Sequence, residues 1–300
     1  MSGTGLPIAA VVARLTTFAG VSLIAFVVAP AILYPFFRAA SAVTGTRFIA
    51  YGAMSCVAML VGTALTVRWF GESWRDTTRL GADTLRGWPL LGGLAAGWFA
   101  VVVPCGLMIW LGALRIETAE GGNWWQAAGL ALVALAPAAL TEELAFRGYA
   151  FTLIRRAWGA GAAVVVTSVA FALLHLLNPG VTVQAIAMVA VAGAFLALVR
   201  LAFDSLWAAW LAHVAFNFVQ VAVFHTAVSG FALPQPSYRT VPVGGDWITG
   251  GAWGPEAGVS AALGMLGVSF LLAVRAGWIR IHRRGWRIAI EMRPGGRRES

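Results

Sequence analysis

The sequence predicts an all-α integral membrane protein, a polytopic bundle of about eight transmembrane helices. Of its 300 residues, 60% are hydrophobic and only 11% are charged, and the mean hydropathy is +0.81. Because a soluble domain typically has about 25% charged residues, this composition argues against a soluble protein. The apolar stretches are continuous rather than alternating, which favours membrane-spanning helices over the strands of a closed barrel.

Each element of this bundle is predicted from one apolar stretch, since a helix needs about 17 to 25 residues to cross the hydrocarbon core. The stretches lie at 16–37, 48–67, 89–113, 125–141, 160–177, 182–202, 205–225 and 257–277. The fourth is expected to continue as a helix to near residue 156. The first lacks a clear signal-peptide cleavage site, so we interpret it as a retained span.

The arginine distribution predicts the orientation of the chain. The net charge is +9, all 21 basic residues are arginine, and eight of them lie in the tail 275–300. With a cytoplasmic tail and eight spans, the N-terminus is cytoplasmic too, and the arginines left outside are Arg38, Arg47, Arg115 and Arg239. This bias follows the positive-inside rule. We therefore predict a bacterial cell-membrane protein whose basic tail contacts the lipid bilayer and binds no nucleic acid.

Three regions follow from this layout. Residues 1–124 hold the N-terminal transmembrane helices and a charged cytoplasmic loop, and residues 125–225 form the expected catalytic core. Residues 226–300 comprise a Gly/Pro-rich extracytoplasmic loop, the last transmembrane helix and the arginine-rich tail. We find no chemical signature in the loops, so none of them is expected to contribute to a site.

A few polar residues lie inside the spans, where an ionisable group costs about 2.5–3.5 kcal/mol and so indicates function. They are Glu142, Glu143, Arg147, His175, His213 and Asn217.

The spacing of these residues predicts which of them share a helix face. Glu143 and Arg147 are four residues apart and can pair, as are His213 and Asn217. Glu142 is turned about 100° away from Glu143, which leaves its carboxylate free.

A hairpin around residues 158–161 predicts that two helices meet. In an antiparallel hairpin Glu143 lies opposite His175, since both are sixteen residues from position 159. Sixteen helical residues span about 24 Å, so either the hairpin protrudes from the bilayer or a water-filled cavity reaches the site.

Two chemistries fit a glutamate pair with two imidazoles and an amide. A glutamate can activate water while His or Asn donors stabilise the oxyanion. Alternatively, Glu142, His175 and His213 could hold a Zn²⁺ that activates water. Both predict hydrolysis of a peptide bond within the membrane.

Three motifs in order, "EELAFR" (142–147), "FALLH" (171–175) and "HVAFN" (213–217), carry a resemblance to a known family. The chain resembles the CAAX prenyl protease type 2 family, also called the CPBP or Abi family of intramembrane proteases, over residues 125–225. Members are often labelled metalloproteases, and a metal-free glutamate mechanism competes with that label. The resemblance implies that Glu142 is the general base and that Glu143, Arg147 and Phe171 support it. It also implies that His175 holds the water, and that His213 and Asn217 stabilise the tetrahedral intermediate.

The implied substrate is a membrane-associated protein or peptide, and nothing in the sequence selects prenylated proteins. Two other functions stay open for the same residues. One is a proton-coupled secondary transporter with the glutamates and histidines as a proton relay. The other is a catalytically silent immunity or scaffold protein of the same fold.

Overall fold

The structure is a computed structural model that describes residues 6–44, 47–119, 121–233, 237–276, 278–281 and 288–290. It is a bundle of apolar helices with two small two-stranded sheets, which confirms the predicted all-α polytopic fold class. Most of the predicted basic tail lies outside the described residues.

The bundle is built of α-helices that differ widely in length. They are α1 (Ile8–Thr44), α2 (Arg47–Trp69), α3 (Trp74–Thr78), α4 (Gly87–Trp110), α5 (Trp124–Glu143), α6 (Tyr149–Leu174), α7 (Val183–Phe203), α8 (Leu206–Phe218), α9 (Asp246–Thr249) and α10 (Val259–Arg275). Two π-helical turns follow α5 and α8, at Leu144–Gly148 and Val219–Val223. Strand β1 (Leu114–Thr118) pairs antiparallel with β2 (Tyr238–Pro242), and β3 (Ile279–Ile281) with β4 (Ile288–Ile290).

Each predicted span coincides with an apolar helix. Within the described part of the chain, six helical stretches are long and apolar enough to cross a membrane. One of them, Trp124–Leu177, is 54 residues long and contains both the fourth and the fifth predicted spans. The eighth corresponds to α10, a shorter apolar helix of 17 residues.

The 54-residue stretch turns back on itself at Gly159. This residue has φ 87° and ψ 173°, a conformation that glycine adopts at little cost. Arg147 and Phe171 are each twelve residues from Gly159, and the guanidinium carbon of Arg147 lies 4.3 Å from the ring centroid of Phe171. In a straight helix they would be about 36 Å apart. The contact confirms the predicted antiparallel hairpin.

Ion pairs gather at one end of the bundle, which we call the arginine end. Glu72, which follows α2, accepts from Arg14 of α1 and from Arg156 of the hairpin. Asp204, at the end of α7, pairs with Arg79 and Arg200. Sheet β1–β2 lies beyond the opposite ends of α4 and α8. The cytoplasmic assignment of the arginine end stays a prediction.

Helices α4 and α8 touch backbone to backbone. A Cβ atom added at Gly97 would lie 2.0 Å from the carbonyl oxygen of Ala212, and one at Gly93 would lie 2.2 Å from that of Ala208. Small residues allow such close approach between membrane helices. This contact fixes the position of α8, which carries His213.

Replacing Gly97 with Ala should therefore destabilise the bundle, by about 1–3 kcal/mol as for other overpacked contacts. The readout is the thermal unfolding midpoint of the purified protein in detergent. Gly106→Ala is the matched control, since a Cβ at this position of α4 meets no atom within 4 Å. Equal midpoints for the two variants would contradict the close contact.

Candidate active site

The buried centre of the site is an ion pair with an imidazole attached. Glu143 Oε1 accepts a hydrogen bond from Arg147 Nη1 at 3.2 Å and lies 2.9 Å from His213 Nδ1. The side chains of Glu143 and Arg147 are both 0% exposed. Arg147 also donates from Nη2 to the carbonyl oxygen of Gly193 at 3.0 Å and faces the ring of Phe171. The two buried charges therefore neutralise each other and are tied to α7.

The contact with Glu143 sets the tautomer of His213. A carboxylate can only accept, so Nδ1 carries the hydrogen and donates it. In neutral His213, Nε2 is consequently an acceptor, and it can donate only when the ring is protonated. His213 Nε2 lies 3.8 Å from Glu142 Oε2.

Glu142 differs from its neighbour in having no fixed partner. Its side chain is 27% exposed, and its Oε2 atom is buried without a hydrogen-bond partner among the described residues. A buried carboxylate oxygen in this state is free to accept a proton from a water molecule. Glu143 is thus held by Arg147, whereas Glu142 Oε2 accepts no hydrogen bond from the described residues and lies 3.8 Å from His213 Nε2.

His175 is held at the end of α6 by its own helix. Its Nδ1 lies 2.8 Å from the carbonyl oxygen of Phe171, and because a carbonyl only accepts, Nδ1 is the donor. The Nε2 atom is then an acceptor that can receive a hydrogen bond from water. The Phe171 ring contacts both imidazoles, with centroid distances of 4.7 Å to His175 and 6.1 Å to His213.

A small cavity of about 30 Å³ joins the two histidines. Polar side chains line part of it and apolar side chains the rest. A polar cavity needs roughly 10–15 Å³ to hold a water molecule, so this one has room for water. The polar lining residues are His175, His213, Asn217, Ser229 and Glu256.

Two π-helical turns border the site. One begins directly after Glu143, and the other begins two residues after Asn217. Such turns are rare, and they occur frequently at functional sites. A π-helical turn shifts the directions of the side chains that follow it relative to an ideal α-helix. A prediction based on 3.6 residues per turn does not include this shift.

The structure brings the predicted site residues together and adds two that the sequence reasoning missed. The predicted set is Glu142, Glu143, Arg147, Phe171, His175, His213 and Asn217. The missed residues, Ser229 and Glu256, belong to the Gly/Pro-rich loop, in which no chemistry was expected. The sequence signal that could have identified Glu256 is its position directly before the last predicted span, 257–277.

The zinc alternative can be compared with this arrangement. Over the described ranges, no group of three or more His, Cys, Asp or Glu side chains is placed to hold a metal ion. Whether Glu142, His175 and His213 bind zinc stays a prediction.

Comparison with protein families gives a match to part of the chain. Residues 123–219 match the family model described as "Type II CAAX prenyl endopeptidase Rce1-like". Searches of curated proteins and of solved structures found no match. The matched region contains the glutamate pair, both site histidines and Asn217. Over this region, which is less than half of the chain, the protein is similar to the CAAX protease-like CPBP family.

Proposed function

We propose that the protein is an intramembrane endopeptidase that hydrolyses a peptide bond with water activated by Glu142. The observation that carries the proposal is the free, buried Oε2 atom of Glu142, 3.8 Å from an imidazole that the buried Glu143–Arg147 pair holds in place. The family match supports a CAAX-type intramembrane protease in general. The substrate is a membrane-associated protein or peptide.

In the first step Glu142 accepts a proton from water, and the water oxygen forms a bond to the scissile carbonyl carbon. Nε2 of His175 accepts the second hydrogen of the same water and so orients its lone pair. The amide N–H of Asn217 stabilises the developing oxyanion. His213 contributes to this role only in its protonated form, because its Nδ1 hydrogen is already donated to Glu143.

In the second step the carbon–nitrogen bond breaks. Glu142 returns the proton it took from water to the leaving nitrogen, so that the products are a carboxylic acid and an amine. The carboxylate ends the cycle in its starting form. No step of this proposal uses a metal ion.

The test compares protein N- and C-termini in membranes from cells that carry wild type or Glu142→Gln at matched protein levels. Termini that disappear only in the variant identify both the proteolysis and its substrate. Glu117→Gln is the matched control, because Glu117 lies in β1, is 37% exposed and pairs with Arg239. This control should give the wild-type set of termini.

Identical sets of termini for wild type and Glu142→Gln under several growth and stress conditions would contradict the proposal. Altered proton or solute flux in the variant would then favour a transporter. An unchanged biological effect of the variant would favour a catalytically silent protein.

A further inference from the structure

The loop between α8 and α10 places a buried carboxylate beside the proposed active site. Glu256 is only 5% exposed and lines the same cavity as His175, His213 and Asn217. Its Oε1 atom accepts hydrogen bonds from the backbone N–H and the hydroxyl of Ser229. Its Oε2 atom is buried and accepts no hydrogen bond of normal geometry in the described parts of the chain, and the neighbouring donor is the side-chain amide of Gln220, which is itself buried and without a partner of normal geometry.

The surrounding contacts hold this carboxylate firmly in position. Asn178, in the turn after His175, donates from Nδ2 to the carbonyl oxygen of Ser229 at 3.0 Å. The backbone N–H of Gly230 donates to the carbonyl oxygen of Trp253 at 2.9 Å. The Trp253 ring lies 6.5 Å from that of His175. The loop is therefore attached to the end of α6 at several points.

A buried carboxylate oxygen without a partner destabilises the protein unless a donor reaches it. No cationic side chain of the described residues forms a salt bridge with Glu256. The cavity that Glu256 lines is about 30 Å³ and has other polar groups on its wall, which suits a water molecule. Burial raises the pKa of Glu256 to about 7, and the hydrogen bonds from Ser229 and from the side chain of Gln220 oppose this rise. Either form binds water, since the ionised carboxylate accepts and the protonated carboxyl donates.

We propose that Glu256 is a positioning residue that retains water in the cavity beside His175, His213 and Asn217 and so supplies the reactant of hydrolysis. The rest of the cavity wall is largely apolar, from residues such as Phe171, Val189 and Met265. Replacement of Glu256 by an apolar side chain would remove the carboxyl group from this wall and weaken the binding of water there. The supply of reactant rests on the proposed peptidase function, whereas the retention of water does not.

Met265 provides a readout of this water that needs no substrate. It is 1% exposed and lines the cavity, while Met108 of α4 is 3% exposed and is not among the lining residues. The full chain in lipid nanodiscs is exposed to a brief X-ray pulse, which generates hydroxyl radicals from bound water, and methionine oxidation is measured by mass spectrometry. In wild type we expect Met265 to be oxidised and Met108 to be spared. In Glu256→Leu, oxidation of Met265 should fall to the level of Met108.

Glu256→Gln keeps the volume and the polarity of the side chain. It should retain Met265 oxidation and most of the cleavage, whereas Glu256→Leu should lower kcat by about 10²-fold, the scale of a misplaced reactant, with little change in KM. A Met265 that resists oxidation in wild type overturns the proposal even if the Leu variant does not fold. Full loss of cleavage in Glu256→Gln with Met265 still oxidised also overturns it. Absence of cleavage by wild type would refute the peptidase function. The oxidation of Met265 would then still test whether Glu256 retains water in the cavity.

Discussion

Glu142→Gln should lower kcat for peptide cleavage by about 10²–10⁴-fold, the usual contribution of a general base. An amide cannot accept the proton of the attacking water under these conditions, yet it has nearly the same size. The substitution leaves the Glu143–Arg147 pair and the Glu143–His213 contact in place. The amount of folded protein and its thermal midpoint should therefore stay close to the wild-type values.

The measurement is the rate of cleavage of the substrate identified from the altered termini, with the purified variant in the same nanodiscs. Glu142→Asp keeps the carboxylate but draws it back by one methylene, so an intermediate rate is expected from it. A Glu142→Gln enzyme with wild-type kcat would show that another group activates the water. Unfolding of the variant would show that Glu142 has a structural role.

Much of the site could be predicted because a membrane leaves few reasons for a polar residue to be buried. Glu143 and Arg147 are four residues apart in an apolar helix, and the structure pairs them at 3.2 Å. The sequence predicts a turn around residues 158–161, and the structure has it at Gly159. The resulting hairpin brings Arg147 against Phe171. Both predictions used local spacing alone.

The remainder of the site depends on information that local spacing does not contain. The tautomer of His213 is set by the 2.9 Å contact between its Nδ1 atom and Glu143 Oε1. Glu143 lies seventy positions earlier in the chain, so local spacing does not reveal this contact. The π-helical turns after Glu143 and Asn217 depend on packing against neighbouring helices. Glu256 reaches the cavity because an irregular loop folds back onto α6, and such loops have no periodicity from which the direction of a side chain could be read.

Arg147→Ala is expected to have the largest effect on folding. It leaves the Glu143 carboxylate, which is 0% exposed, without its cation, and removal of one partner of a buried pair costs about 3–5 kcal/mol. It also removes the hydrogen bond to the carbonyl oxygen of Gly193 and the stacking on Phe171. The yield of monodisperse protein after solubilisation should fall sharply. The control Arg239→Ala breaks an exposed pair with Glu117, which is worth no more than about 1 kcal/mol, and should give the normal yield.

The double variant Glu143→Gln, Arg147→Met separates two roles of this pair: the effect of its charges on stability and the orientation of His213 by Glu143. It removes both buried charges at similar volume, a change that is often neutral for stability. The yield should therefore recover relative to Arg147→Ala. Cleavage should not recover, because an amide at position 143 can donate as well as accept and so no longer fixes the hydrogen on Nδ1 of His213. A normal yield of Arg147→Ala would show that the ion pair does not stabilise the fold, and wild-type cleavage by the double variant would show that Glu143 does not orient His213.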